Sequence, residues 1–263
     1  MKKIFGAVMA GSLALLLSAC NSSEAQDKLT AEKLMAKSNE ATETSLKSVH
    51  AHINFDDYAV TVYNGDIENP EKAGVVYDLQ VDAYLDPEKV KHTATVAPRG
   101  IKKYEENFYN ISGKNIVKKA DDAEWQQVGT IEEQYGSFVD AVYPTLDLSK
   151  FEPFKDDFIL EPIEYGYALK LTLDRNGFKE FKKVFPDAGP VNDGFRIVDK
   201  MELVITFNKS TSYVTSFKMS SDVRHFADGN SYRSRQKMNA TYSYFNDIKD
   251  FAIPKEVQEI ASK

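Results

Sequence analysis

The last third of the chain alternates. Met201, Leu203, Ile205 and Phe207 are apolar at every second position, and Tyr213, Thr215, Phe217 and Met219 repeat the pattern. After an Asp228-Gly229 turn, Tyr232, Met238, Ala240, Tyr242 and Tyr244 carry it a third time. A period of two places one set of side chains on one face of a strand and the remainder on the other. Three such runs joined by short turns dictate an antiparallel meander with one apolar face and one wet face. The same rule holds earlier. In "VVYDLQVDAYL", Val75, Tyr77, Leu79, Val81, Ala83 and Leu85 alternate with Val76, Asp78, Gln80, Asp82 and Tyr84. Asp86-Pro87 turns the chain, and "KVKHTATV" returns with Val90, His92, Ala94 and Val96 on one face.

Two more strand signals complete the pattern. "YEENFYNISGKNIVKK" reads as a hairpin around Ser112-Gly113-Lys114, with the polar turn "ADDAEWQQVG" leading to Trp125. "YGYALKLTL" sets Tyr165, Tyr167, Leu169, Leu171 and Leu173 on one side. Helical spacing is rarer. "LTAEKLMAKSNEATETSLKSVH" has Thr30 at the N-cap position and Leu34, Met35, Ala41, Leu46 and Val49 on one face. "IEEQYGSFVDAVY" spaces Ile131, Tyr135, Phe138 and Val142 for one helix that Pro144 ends. "DRNGFKEFKKVF" turns Phe178, Phe181, Val184 and Phe185 inward, and Pro254 opens a last helix bearing Val257, Ile260 and Ala261. Eight or nine antiparallel strands and four helices, at the start, middle and end, exclude an alternating βαβ chain. They predict an α+β fold, a large curved antiparallel sheet with helices against its apolar face.

The N-terminus sets the compartment. Lys2 and Lys3 precede sixteen uncharged residues, Ile4 to Ala19, which end in the small pair Ser18-Ala19. A charged head, an apolar stretch and a small-residue zone form an export signal. The run is shorter than the ~20 residues that span a bilayer, and polar "NSSEAQDK" follows it. Leu17-Ser18-Ala19-Cys20 resembles the lipobox of bacterial lipoproteins, which implies cleavage before Cys20 and diacylglycerol on its sulfur. Cys20 is the only cysteine, so an acylated Cys20 leaves the folded part no thiol for a disulfide, metal or nucleophile. Two or three acyl chains, palmitate among them, anchor far more firmly than one. The expected organisation is a signal peptide over 1–19, the lipidated cysteine and tether over 20–29, and one domain over 30–263. Residues 21–29 extend to about 30 Å, which keeps that domain near the outer face of the cell membrane.

Loss of Lys2 and Lys3 leaves 31 basic against 40 acidic residues, a net charge of −9. Such a chain is a poor partner for nucleic acid and has no bulk attraction to anionic lipid. No catalytic signature is legible. His50 and His52 lie two apart and would share a strand face, but no acidic or cysteine partner stands at ligand spacing in the sequence, and they read as surface histidines. Ser221, Asp222 and His225 are too close in sequence for a triad, whose members come from separate segments, and no Gly-x-Ser-x-Gly elbow exists. The acidic pairs Asp56-Asp57, Asp121-Asp122 and Asp156-Asp157 lack calcium-loop spacing. Neither cofactor nor metal is implied, and the chain does not read as an enzyme. One polar group stands out: Arg233, Arg235 and Lys237 project from one strand face, opposite Met238 and Ala240, as a stripe about 14 Å long. It reads either as a contact for headgroup phosphate or as a solvated face paired with carboxylates such as Asp222.

Taken in order, the lipobox, tether, first helix "AEKLMAKSNEATETSLKSVHAHINF", meander, "FYNISGKNIVKKADDAEWQQV", C-terminal meander and "FAIPKEVQEIA" are similar to the LolA/LppX-like superfamily. In particular, they resemble the membrane-anchored lipoproteins of Gram-positive bacteria with that fold. Ile116 stands where such proteins often carry an aromatic residue. The resemblance implies an incomplete barrel wrapped around helices, enclosing an apolar cavity that accepts lipid or acyl chains, and it transfers no catalytic residue. The inward-facing candidates for lining that cavity are Tyr77, Leu79, Val81, Leu203, Ile205, Phe207, Phe217, Met219 and Met238. The same residues could instead pack as solid core. The chain would then be an interaction module for another envelope protein.

Overall fold

Alternation of β-branched and aromatic residues with polar ones produces strands wherever it is sustained. A computed structural model describes residues 29–63, 74–85, 88–98, 102–122, 124–185, 195–227 and 230–263. The head, Cys20 and most of the tether lie outside the described residues, as do the Asp86-Pro87 and Asp228-Gly229 turns. The order is α1 (Ala31–Ser45), β1 (Ser48–Tyr63), β2 (Gly74–Leu85), β3 (Glu88–Pro98), β4 (Tyr104–Ile111), β5 (Lys114–Lys119) and β6 (Gln126–Val128). Then come α2 (Ile131–Tyr135), α3 (Ser137–Val142), a 3-10 helix (Leu148–Phe154), β7 (Ile159–Ile163), β8 (Gly166–Asp174) and α4 (Arg175–Val184). The last elements are β9 (Phe195–Asn208), β10 (Val214–Ala227), β11 (Asn230–Ser243) and α5 (Lys255–Ala261).

Among the described residues all eleven strands form one antiparallel sheet, ordered β6-β5-β4-β3-β2-β1-β11-β10-β9-β8-β7 and not closed into a barrel. Two meanders are therefore joined where the first strand pairs with the last. The fold class is the expected α+β, with more strands than the sequence suggested.

One face of the sheet is apolar and covered. Phe151 of the 3-10 helix meets Phe217 of β10 at 6.0 Å and Phe185 at 5.5 Å, while Phe181 stacks on Phe185 at 4.5 Å. Residues 174–185 reach that face because Asp174 caps α4, its Oδ1 accepting from the amides of Asn176 and Gly177 at 2.9 Å.

Several local expectations need correction. The first helix stops at Ser45, and Val49 lies fully buried in β1. Asn246 stops it: its Oδ1 accepts from the Lys47 amide at 2.6 Å, and its Nδ2 donates to the Ser45 carbonyl at 3.0 Å. The expected single helix over 131–143 is two, broken at Gly136, which sits at φ 89° and ψ 163°. A shift of register between Val214 and Ser216 turns Thr215 outward, where its hydroxyl meets that of Thr206 at 2.8 Å. Tyr165 is exposed in the turn between β7 and β8, so it leaves the apolar row that Leu169, Leu171 and Leu173 share. Finally, α5 contacts β5, where the Lys114 Nζ donates to the Ala261 carbonyl at 2.7 Å. The segment before it lies on the outer face, with Lys89 paired to Asp250 at 2.8 Å and the Lys91 ammonium 4.8 Å from the Phe251 ring. Ile116, on that face with its cross-strand neighbour Tyr109, is fully buried.

Candidate ligand-binding face

Cross-strand register collects the inward residues into rows. Phe55, Met238, Met219, Leu203 and Leu171 form one row across five strands. Ile53, Ala240, Phe217, Ile205 and Leu169 form the next. Of the nine candidate lining residues, eight are brought to this face and are at most 3 % exposed: Leu79, Val81, Leu203, Ile205, Phe207, Phe217, Met219 and Met238. Tyr77 shares the face but behaves differently. It stacks on Phe55 across β1 and β2, with centroids 6.1 Å apart and planes at 18°, and its edge meets Tyr135 at 5.6 Å. Both Phe55 and Tyr77 remain only half buried.

Beyond that aromatic pair the inward positions become polar. Gln236, Ser234 and Ser221 are each under 5 % exposed, and the Ser221 hydroxyl donates to the Gln236 Oε1 at 3.3 Å. Apolar alternation hid these residues, because polar side chains at inward positions simply look like the end of the pattern. Ser221 thus faces inward and Asp222 outward, which separates two members of the sequence-adjacent Ser-Asp-His group; the His225 side chain lies outside the described residues.

A second buried polar group sits under α2 and α3. His92 is 2 % exposed and stacks on Phe108 at 4.2 Å. Its Nδ1 lies 3.0 Å from the Tyr143 hydroxyl and its Nε2 3.2 Å from that of Tyr135. Tyr135 donates to the Glu106 Oε2 at 2.7 Å. Because that proton is committed to Glu106, the Tyr135 oxygen accepts from Nε2–H, and Nδ1 accepts from Tyr143. These directions are those of a neutral imidazole, the form that burial favours. Burial pushes His92 down to about 3, and burial raises the phenols of Tyr135 and Tyr143 far above their ordinary range. Sequence placed His92 on the inward face but gave no sign of its partners, which come from helices forty or more residues later.

The basic stripe is exposed on the outer face. Arg235 donates from Nε to the Asp222 Oδ1 at 2.9 Å, and Lys237 stands opposite Asp56 in register. Arg233 lies opposite Arg224, which is fastened to Asp199 through Nε–Oδ2 at 2.7 Å and a second nitrogen on Oδ1. Hydrogen bonds from Arg224 hold the Asp199 carboxyl below its usual range. His50 and His52 do share the outer face. Their carboxylate partners come from the neighbouring strand, Asp82 at 2.8 Å and Asp78 at 3.2 Å, which no spacing within one segment could reveal. Among the described residues no group of three or more such side chains is arranged to hold a metal ion.

The profile of a family of unknown function, DUF6612, matches residues 30–262. The chain belongs to this family. No curated protein matches it in sequence. Among solved structures, this DUF6612 chain is similar to the Mycobacterium tuberculosis lipoprotein LppX at 15 % identity and a TM-score of 0.41, covering 84 % of this chain and 99 % of that one. It is similar to LprF from Mycobacterium bovis at 13 % identity and a TM-score of 0.41, covering 85 % and 96 %. A DUF1329 protein from Desulfovibrio piger matches at 8 % identity and a TM-score of 0.32, covering 88 % and 97 %. Among the described residues no helix is long and apolar enough to cross a membrane.

Proposed function

We propose that the protein is a non-enzymatic lipoprotein, tethered through lipid on Cys20 to the outer face of the cell membrane, whose inner sheet face binds a lipid or acyl chain. The Phe55–Tyr77 pair carries this reading. Both rings stand on the apolar face of central strands, yet they stay half buried while Ile53, Leu79 and Met238 around them are closed off completely. Among the described residues, the helices cover that part of the face only in part, through Tyr135 against Tyr77. Each methylene shielded there contributes about 0.8 kcal/mol. A sixteen-carbon chain would thus draw roughly 13 kcal/mol from a fully apolar site, close to its gain in a bilayer, so exchange with a membrane sits near balance. The buried polar row of Gln236, Ser234 and Ser221 next to the rings supplies groups for an ester or headgroup linkage. On the outer face, Arg224, Arg233, Arg235 and Lys237 stand among Asp199, Asp222 and Asp56, a local cationic excess that favours anionic headgroups.

The mass of the protein purified from residue 21 onward, recorded natively and after denaturation, tests the reading. A stoichiometric adduct of lipid mass, lost on denaturation, is expected. A bare protein that also takes up no added fatty acid or phospholipid overturns it and leaves the interaction module. Changing Arg233, Arg235 and Lys237 together to Gln is expected to weaken binding to anionic vesicles. Unchanged binding removes the stripe from the proposal.

A further inference from the structure

Two rows of cross-strand neighbours meet on the outer face. His50, Asp82, Lys91 and Tyr109 stand directly opposite one another across β1, β2, β3 and β4. One step along, Gln80, Thr93 and Asn107 do the same across β2, β3 and β4. Together they line a cleft of about 190 Å³. Aromatic rings flank it: Tyr244 meets His50 edge-on at 5.9 Å, Phe251 lies under the Lys91 ammonium, and Trp125 stands against Tyr109 at 5.5 Å.

The charges in the cleft are already spent on one another. Asp82 gives Oδ1 to His50 at 2.8 Å and Oδ2 to Lys91 at 3.0 Å. Burial pushes the Asp82 carboxyl up, and the hydrogen bonds from His50 and Lys91 more than reverse this, holding it below its usual range. Both Asp82 oxygens are engaged and the Lys91 ammonium is matched by that carboxylate, so a cation or an anion gains little. The other polar side chains that line the cleft carry no formal charge: the Gln80 and Asn107 amides and the Thr93 and Tyr109 hydroxyls, with the Gln80 Nε2 also donating to the Asp78 Oδ1 at 3.4 Å. All stand on paired central strands, which fixes their spacing in advance.

We infer that this cleft binds a neutral polyhydroxylated ring, a pyranose, with the amides and hydroxyls bonding its hydroxyl groups and Tyr109 against its apolar side. A volume below the ~300–1,000 Å³ of drug-sized pockets suits one ring of a longer molecule. A soluble glycan and the sugar headgroup of a glycolipid share this chemistry. The site lies on the face opposite the lipid-binding proposal and does not depend on it.

Trp125 is the only tryptophan, so the native protein reports on its own cleft. The full-length protein in detergent micelles is titrated, with Trp fluorescence as readout, against maltotetraose, chitotetraose, and phosphatidylcholine vesicles with and without glucosyl-diacylglycerol. A saturable change with at least one sugar probe is expected. Response to a tetrasaccharide assigns a glycan; response to the glycolipid vesicles alone assigns a headgroup. Gln80→Ala with Asn107→Ala, both exposed positions, is expected to weaken that binding about tenfold through two lost hydrogen bonds. Lys179→Gln, at an exposed position on α4, is expected to leave it unchanged. No saturable response up to about 10 mM sugar, well beyond even weak affinity, overturns the inference. So does a response that the double substitution leaves intact.

Discussion

His92 shows how one residue can tie stability to pH. Its ring is enclosed by Phe108, Tyr135 and Tyr143, and it accepts at Nδ1 a proton that only a neutral ring can take. Folding holds it near 3 against 6.5 in the unfolded chain. Below 6.5 the unfolded state therefore binds the extra proton, and stability is lost as pH falls toward 3, by about 1.4 kcal/mol per unit. Above 6.5 its contribution is complete. His92→Gln should cost stability at pH 8 yet flatten the decline between pH 6.5 and 4, measured by urea unfolding across that range. An unchanged slope would show that the loss belongs to carboxylates such as Asp82 and Asp199, whose depressed values also make acid destabilising. The sequence put His92 on the correct face. It could not announce the chain, because hydrogen-bond partners from α2 and α3 leave no periodic trace.

At the scale of elements, alternation was legible wherever apolar residues marked it, and silent where the inward side chain is small or polar. The strands from Val75 to Val96 and from Met201 to Phe207 follow their period. In β1, Val49, Ala51 and Ile53 alternate inward, yet Leu46 and Val49 also suit a helix face, and only Asn246, two hundred residues away, ends the helix. Thr215 misled for a different reason, since a bulge reverses the period without changing composition. The break between α2 and α3 rests on Gly136. A φ of 89° with ψ of 163° belongs to a region open essentially to glycine alone. A Cβ there would meet no atom within 4 Å. The cost of Gly136→Ala is therefore backbone strain without a clash, about 1–3 kcal/mol. Chemical denaturation of the variant should read that loss. A neutral result would mean that α2 and α3 can re-form as the single helix their spacing suggests.

Across the whole molecule, β1 and β11 decide how the chain holds together. They pair from His50 with Ser243 to Tyr63 with Ser231, bringing together segments nearly two hundred residues apart. β1 to β6 form one meander and β7 to β11 the other, and each would be an open sheet with an unpaired long edge if that pairing were lost. The covering elements bridge the same line: α3 contacts β1, the Tyr242 hydroxyl donates to the Val142 carbonyl at 2.8 Å, and Asn246 fastens the end of β11 to the start of β1. Pairing so distant in sequence requires loop closure before it is rewarded, which predicts slow folding. It also predicts that neither meander is stable without the other. Despite a size at which chains often unfold in stages, thermal unfolding should be one transition, with calorimetric and van't Hoff enthalpies in agreement. Two resolved transitions would mean that the meanders are separate folding units and that the β1–β11 seam only docks them.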